Sequence, residues 1–401
     1  MLPAGGSLTM GGTNHDEYPA VILNLILGSL ALLSLALTLW QWLVARRFPL
    51  HQRDPRLATL GSQPAVTLLK PLKGRDAATE DCLRSWFAQQ YAGPVQILLG
   101  VAEAEDRACE VVRKLMGEFP GSDARLVVCG PPLGANAKVS QLVELARQAK
   151  HDVIVLSDAD VRVPPDCLAQ VVAPLQQPET GLVNCFYCLA NPATLAMRWE
   201  VIAINADFWS QVLQARSLKP VDFALGAVMA MRRQRLAEIG GFEALVDCLA
   251  DDYQLGNRIA RRGYRIALSP VVVECWAAPM GWAAVWKHQL RWARTIRVCQ
   301  PVPYFFSILS NATLWPVLWL AAKPAAPALA CVAGCLLVRV ISALNLEHRL
   351  SRSRPLYGLA WLVPVKDLLQ AAIWLLAYLG NRIEWHGQQL RLCPDGVMVR
   401  T

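Results

Sequence analysis

Four long apolar runs interrupt this chain, and a stretch of different texture lies between the first and the second. Residues 18–45 carry no charge. About 20 apolar residues in a helix cross a bilayer, so this run predicts a membrane span. Asp16 and Glu17 precede it, and Arg46, Arg47, Arg53 and Arg56 follow it. Positive charge after the apolar core argues against a signal peptide. It places the N-terminus outside and the segment after Arg46 in the cytoplasm. Residues 302–322 are also uncharged; Lys323-Pro324 then interrupts, and 325–346 carries Arg339 as its one charge. The last run, 356–379, holds Pro364, Lys366 and Asp367 in its middle. Charge at bilayer depth is costly, and basic residues flank this run on both sides, so a re-entrant or interfacial placement is expected.

Between residues 64 and 275, short β-rich runs alternate with stretches of helical spacing. The runs 65–69, 95–101, 124–128 and 153–157 predict strands; 77–90, 109–119 and 138–149 predict helices. Such alternation predicts an α/β domain with a mainly parallel sheet. Ligands bind beyond the carboxyl ends of strands in these sheets, so strand ends are where chemistry is sought. The first strand runs into Lys70-Pro71-Leu72-Lys73-Gly74-Arg75-Asp76, the second into Glu103, Glu105 and Asp106, and the fourth into Asp158-Ala159-Asp160. Two carboxylates closing a buried strand are hard oxygen ligands suited to Mg²⁺ or Mn²⁺, which in turn grip a diphosphate.

Asp251 and Asp252 open a predicted helix after the Gly240-Gly241 turn. One of them is expected to cap that helix, and the other to face the cleft as a general base. Downstream, Trp286-Lys287-His288-Gln289-Leu290-Arg291-Trp292-Ala293-Arg294 mixes aromatic and basic residues on one predicted helix. The mixture suits a helix in the headgroup plane. Arg291 is a permanent cation able to stabilise a diphosphate leaving group.

Composition sharpens this picture. Hydrophobic residues make up 54% and charged residues 17% of 401, too apolar a balance for an ordinary soluble enzyme. The net charge is +8. No Lys/Arg block resembles a nucleic-acid arm, so the basic excess points to lipid headgroups and a diphosphate rather than nucleic acid. The Cys185–Cys188 pair has CxxC spacing but no second pair to complete a zinc set, and reads as part of a buried strand.

The ordered set of motifs resembles the inverting family 2/21 glycosyltransferases of the GT-A fold, in particular the ceramide glucosyltransferase group, and so implies a Rossmann-like mixed sheet inserted between transmembrane helices. The shared features are the N-terminal anchor, Lys-Pro-Leu-Lys-Gly-x-Asp after the first strand, the second Asp motif, Asp251-Asp252-Tyr253, and an Arg-Trp motif before C-terminal membrane segments. The resemblance implies a UDP-sugar donor and a membrane lipid acceptor. Asp76 and Glu103 would contact the uridine, Asp158 and Asp160 the nucleotide and a divalent cation, and Asp252 would be the base. Asn136 and Lys138 match a donor-side loop, and Arg291 and Trp292 would close over the diphosphate and acceptor. Gly226, Asp251 and His288 fall on the acceptor side, with His288 standing where Gln or Arg is usual. Residues 189–199 and 206–211 are similar to bacterial hopanoid-associated members. That similarity implies transfer of N-acetylglucosamine to bacteriohopanetetrol at a bacterial inner membrane, with glucose transfer to ceramide as the alternative. A processive polysaccharide synthase shares the acids but needs more membrane helices, and a non-catalytic membrane scaffold would rest only on the intramembrane charges Arg339, Lys366 and Asp367. The resulting organisation is an outer tail (1–17), an anchor (18–45), a basic linker (46–63) and a cytoplasmic catalytic domain (64–275). An interfacial helix (276–300), membrane segments (301–380) and a basic tail (381–401) complete it.

Overall fold

A computed structural model describes residues 17–59, 63–352, 357–385 and 388–400. The expected outer tail lies outside these residues except for its last position. The predicted alternation of strands and helices is present. Strands β1 (Val66–Pro71), β2 (Val95–Val101), β3 (Asp123–Val128) and β4 (Val153–Ser157) are linked by helices Thr79–Phe87, Ala108–Glu118 and Ala137–Gln148. Four more strands follow: β5 (Val161–Arg162), β6 (Thr180–Leu189), β7 (Val228–Arg232) and β8 (Arg265–Cys275). The sheet order is β3-β2-β1-β4-β7-β6-β8-β5. β1 to β4 are parallel neighbours, but β7 runs antiparallel to β4 and β6, and β5 antiparallel to β8. The sheet is therefore parallel in its first half and mixed in its second, so the strand alternation describes only the first half, while the mixed sheet implied by the GT-A resemblance is present. Cys185 and Cys188 are buried on β6, in line with the strand reading.

Alternate side chains on the parallel strands face opposite layers, as a strand's period of two requires. Leu68 packs with Trp86 and Leu115 on one face; Leu69 packs with Leu142 and Leu255 on the other. A third cluster joins Phe186 and Trp209 to Phe48, Leu346, Leu350 and Leu362 of the apolar helices. Packing thus ties the sheet's second half to the membrane-type helices.

Among the described residues, three helices are long and apolar enough to cross a membrane: Tyr18–Arg47, Ala326–Ser351 and Leu362–Leu379. A further pair, Pro301–Ser310 and Leu314–Ala322, is bent by 56° at the break. The charges that made the last run look costly are not exposed to lipid. Arg339 donates to Asp367 at 2.8 and 2.9 Å and to Asp207 at 2.8 Å. Lys366 also pairs with Asp207, and Thr313 donates to Asp367 at 2.7 Å. Two cations and two anions thus neutralise one another in a buried knot.

Residues expected as a basic tail hold a small antiparallel sheet, β9 (Arg382–Trp385), β10 (Gln388–Leu392) and β11 (Met398–Arg400). Met398 N–H donates to the Asp247 carbonyl at 2.7 Å, and Leu249 N–H to that of Gly396 at 3.0 Å. The sheet therefore lies against the loop that leads into Asp251.

Candidate active site

The fourth strand ends at Ser157, and the chain turns immediately through Asp158 and Asp160. Beside them the Ala137–Gln148 helix begins at Asn136, whose side-chain oxygen accepts from the Val139 N–H at 3.1 Å. Asn136 also donates to the Cys248 carbonyl at 2.8 Å, tying two distant loops together. One residue into that helix, Lys138 reaches Asp158 at 2.7 Å and Asp251 at 3.0 Å. Burial opposes its charge, but Asp158 and Asp251 outweigh burial and hold the ammonium above its ordinary range.

A second lysine supports the same turn from behind. Lys70, at the end of β1, is fully buried over the Trp86 ring at 5.4 Å. Its ammonium donates to the Asp158 carbonyl and lies 3.4 Å from Ser157 Oγ. Burial pushes Lys70 down to about 8.

Asp160 stands at the solvent-exposed rim, with its backbone carbonyl accepting from Trp276 N–H at 3.0 Å. Enclosure by the surrounding protein and then the charge of Asp158 push it up to about 6. Asp252 is half-buried, and burial followed by the charge of Asp251 pushes it up to about 7. A Cβ on Gly226 would come within 2.9 Å of Asp252 Oδ2, so glycine leaves the carboxylate its place. Neither aspartate is the helix cap, contrary to expectation. The helix starts at Asp251 after Ala250, which offers no side-chain cap; Asp251 is engaged by Lys138, and Asp252 accepts the Tyr253 N–H at 2.8 Å.

Four carboxylates against two ammonium groups leave this cluster formally negative. That charge, and the resistance of Asp160 to ionising alone, fit a divalent cation arriving with an anionic ligand. No three His, Cys, Asp or Glu side chains form a complete metal cage among the described residues. The protein's share would be Asp158 and Asp160 only.

Asp76 and Glu103 stand apart from this cluster. The exposed Asp76 carboxylate accepts from the Ala78 and Thr79 N–H groups at 3.0 and 2.8 Å, capping the next helix. It is still close enough that Asp160 and Asp76 together raise the Cys82 thiol, after burial. Glu103 is exposed past β2.

The Arg291 helix (Trp282–Cys299) packs through Val285 and Ala293 with Ala196 and Ile373. Trp292 meets Phe208 at 5.7 Å, and Phe208 meets Tyr187 at 5.8 Å. Burial, Cys275 and the charges of Asp252, Asp158 and Asp160 all push the Tyr187 phenol up. Tyr187 therefore links the acids to the Arg-Trp helix. Arg291 is largely buried, and burial lowers its pKa while Glu200 alone raises it. Its guanidinium makes no hydrogen bond or ion pair to any described residue, so it is ready for an anion.

Sequence reasoning missed Lys70, Tyr187 and Glu200. Lys70 lay in a quoted motif, where an isolated cation closing an apolar strand was the available signal. Glu200 had none. It is fully buried, accepts from His288 Nδ1 at 2.6 Å and from Gln289 Nε2 at 2.9 Å, and its partners lie 88 and 89 residues away. His288 in turn stands edge-on to Trp292 at 5.0 Å.

Comparison with known proteins fits this arrangement. The model of glycosyl transferase family 21 matches residues 26–398. Ceramide glucosyltransferase 1 of Caenorhabditis elegans is 28% identical over 227 residues, covering 55% of this chain and 47% of the relative. The probable glycosyltransferase YdaM of Bacillus subtilis is 24% identical, covering 58% of this chain and 55% of the relative. The chain thus spans about half the length of the curated relatives it matches. A solved mannosyltransferase from Pyrobaculum calidifontis, in complex with GDP-Man and Mn²⁺, superposes with a TM-score of 0.55 at 21% identity. That superposition covers 89% of this chain and 98% of the other, and gives the soluble unit its GT-A fold.

Proposed function

Because this chain belongs to glycosyl transferase family 21, we propose that it transfers glucose from UDP-glucose to the hydroxyl of a ceramide-like lipid, with inversion. The ceramide glucosyltransferases among its relatives support this acceptor over the hopanoid expected from residues 189–199 and 206–211. The observation that carries the chemistry is Asp252, a carboxylate whose hold on its proton suits base work near neutral pH.

The lipid hydroxyl gives its proton to Asp252 as its oxygen attacks the anomeric carbon. The bond from that carbon to the diphosphate oxygen breaks on the opposite face, and UDP leaves. Asp158 and Asp160 would hold Mg²⁺ or Mn²⁺, which when bound offsets the diphosphate charge. Arg291 meets the charge developing on the leaving group, having no partner of its own to give up. Lys138 holds Asp158 and Asp251 together, and Asp251 is the neighbour of the base. The arginines after the first span support a cytoplasmic setting for this chemistry, by the excess of positive charge expected on that side.

Purified protein incubated with UDP-glucose and ceramide should yield glucosylceramide by mass spectrometry. Product only from UDP-N-acetylglucosamine and bacteriohopanetetrol would replace the acceptor and sugar; no product with either pair would remove the reading. Loss of a general base typically costs ~10²–10⁴-fold. Asp252→Asn should lose transfer on that scale while still binding UDP by calorimetry, and unimpaired turnover would discard Asp252 as base.

A further inference from the structure

The helix Leu362–Leu379 has 18 residues and a mean hydropathy of 1.5, enough to be taken for a span. The contacts of its neighbours place both of its ends on one side. The helix Glu17–Arg47 fixes the two faces. Near its start, Asn24 accepts from Trp319 Nε1 at 2.8 Å, and a Cβ on Gly28 would lie 3.2 Å from the Trp319 ring. The bent pair Pro301–Ala322 leaves the Arg291 helix, which packs on the catalytic domain, and reaches Trp319 at the far end of the first span. It therefore crosses the bilayer.

The helix Ala326–Ser351 brings the chain back. Trp42, close to the catalytic end of the first span, donates to Asn345 at 2.8 Å. Arg349 donates to the Arg46 carbonyl at 3.0 Å, and His51 lies 3.0 Å from the Leu350 carbonyl. Ser351 is thus on the catalytic side. The next helix begins there, with Leu362 and Val363 packed among Phe48 and Leu350. It ends there too: Arg297 lies 5.4 Å over the Tyr378 ring, and β9 follows, with Glu384 paired to Lys287 at 2.9 Å. A helix that starts and finishes on the same face has made no crossing.

Its exposure pattern agrees. Trp361, Val365, Leu368, Leu375 and Leu379 are exposed at intervals of three, four and seven, while Leu362, Lys366, Asp367, Ile373 and Ala377 are buried against the protein. This is the one-sided apolar stripe of a helix lying in an interface. Phe305, exposed beside Trp374, continues the stripe onto the Arg291 side.

We propose that Leu362–Leu379 does not span the membrane but lies in the leaflet on the catalytic side, with its apolar stripe in lipid. The described residues then make three crossings, Tyr18–Arg47, the bent pair and Ala326–Ser351. This follows from the helix contacts and stands whether or not the glycosyl transfer reading holds.

The test uses the full chain, R352K with a C-terminal tag, in sealed membrane vesicles treated with an impermeant amine reagent. Lys114 and Lys150 mark the catalytic face. Position 352 in R352K should label together with them, and the tag should be reached from that same face. Lys323 should label only from the opposite face. Vesicles of the unsubstituted chain, read at Lys114, Lys150, Lys323 and the tag, give the same comparison without a substitution, which guards against misfolding of the variant. Position 352 and the tag on opposite faces would overturn the proposal, as would Lys323 labelling with Lys114.

Discussion

Asp252 resists ionisation because it is sheltered and because Asp251 is its next neighbour; Lys138 offsets only part of this. A base works only when deprotonated. A carboxylate in this setting loses its proton near pH 7 rather than near 3.8, so kcat/KM should rise as pH climbs through about 7 and level off above it. A pH–rate profile checks this, and a limb near 4 would show that the site does not hold the carboxyl proton. Gly226 belongs to the same argument: a methyl group at that position pushes on the very oxygen the base needs.

At the scale of elements, the Arg291 helix is aimed rather than merely placed. Glu200, on the helix Leu195–Val201, accepts from His288 and Gln289 one turn before Arg291 and Trp292. His288 Nδ1 lies 2.6 Å from Glu200 Oε1, and its ring bears on Trp292. Misplacement by about 1 Å at a reacting centre can cost ~10²-fold. Glu200→Ala should therefore lower kcat by a factor of ten to a hundred, on the order set by that misplacement. Glu200→Gln keeps one oxygen accepting from both partners and should retain most activity. In an Arg291→Ala background, Glu200→Ala should add little, as measured by steady-state kinetics; full multiplication of the two losses would show an independent structural role. Seven π-helical residues, Ile202–Phe208, follow Glu200 and carry Phe208 toward Trp292 and Asp207 toward Arg339.

At the scale of the molecule, the knot of Asp207, Asp367, Arg339 and Lys366 couples the sugar-binding unit to the membrane helices. Removing one member of a buried ion pair leaves an uncompensated charge and costs about 3–5 kcal/mol. Asp367→Ala should lower thermal stability in detergent accordingly, because Arg339 and Lys366 would share Asp207 alone. Removing Arg339 and Asp367 together, each replaced by Met, should cost less than either single change. Additive losses in melting experiments would mean that the charges do not act as a unit.

Hydrophobic spacing by itself determined the first span, the β1–β4 strands with their helices, and the run of acids at their ends, because these are local: each depends on residues close in the chain. The order of the motifs was enough to indicate the family. What the sequence left open were matters of contact between distant segments. A period of two does not reveal that β7 runs antiparallel between β4 and β6. Capping propensity assigned an aspartate to the helix start, whereas Lys138, more than a hundred residues away, engages Asp251 instead. Hydropathy cannot tell a span from a leaflet helix, since both bury apolar surface in lipid; only the positions of the two ends separate them. Glu200 is the clearest case: its burial is tolerable only because His288 and Gln289 come to meet it, and that meeting exists only in the folded chain.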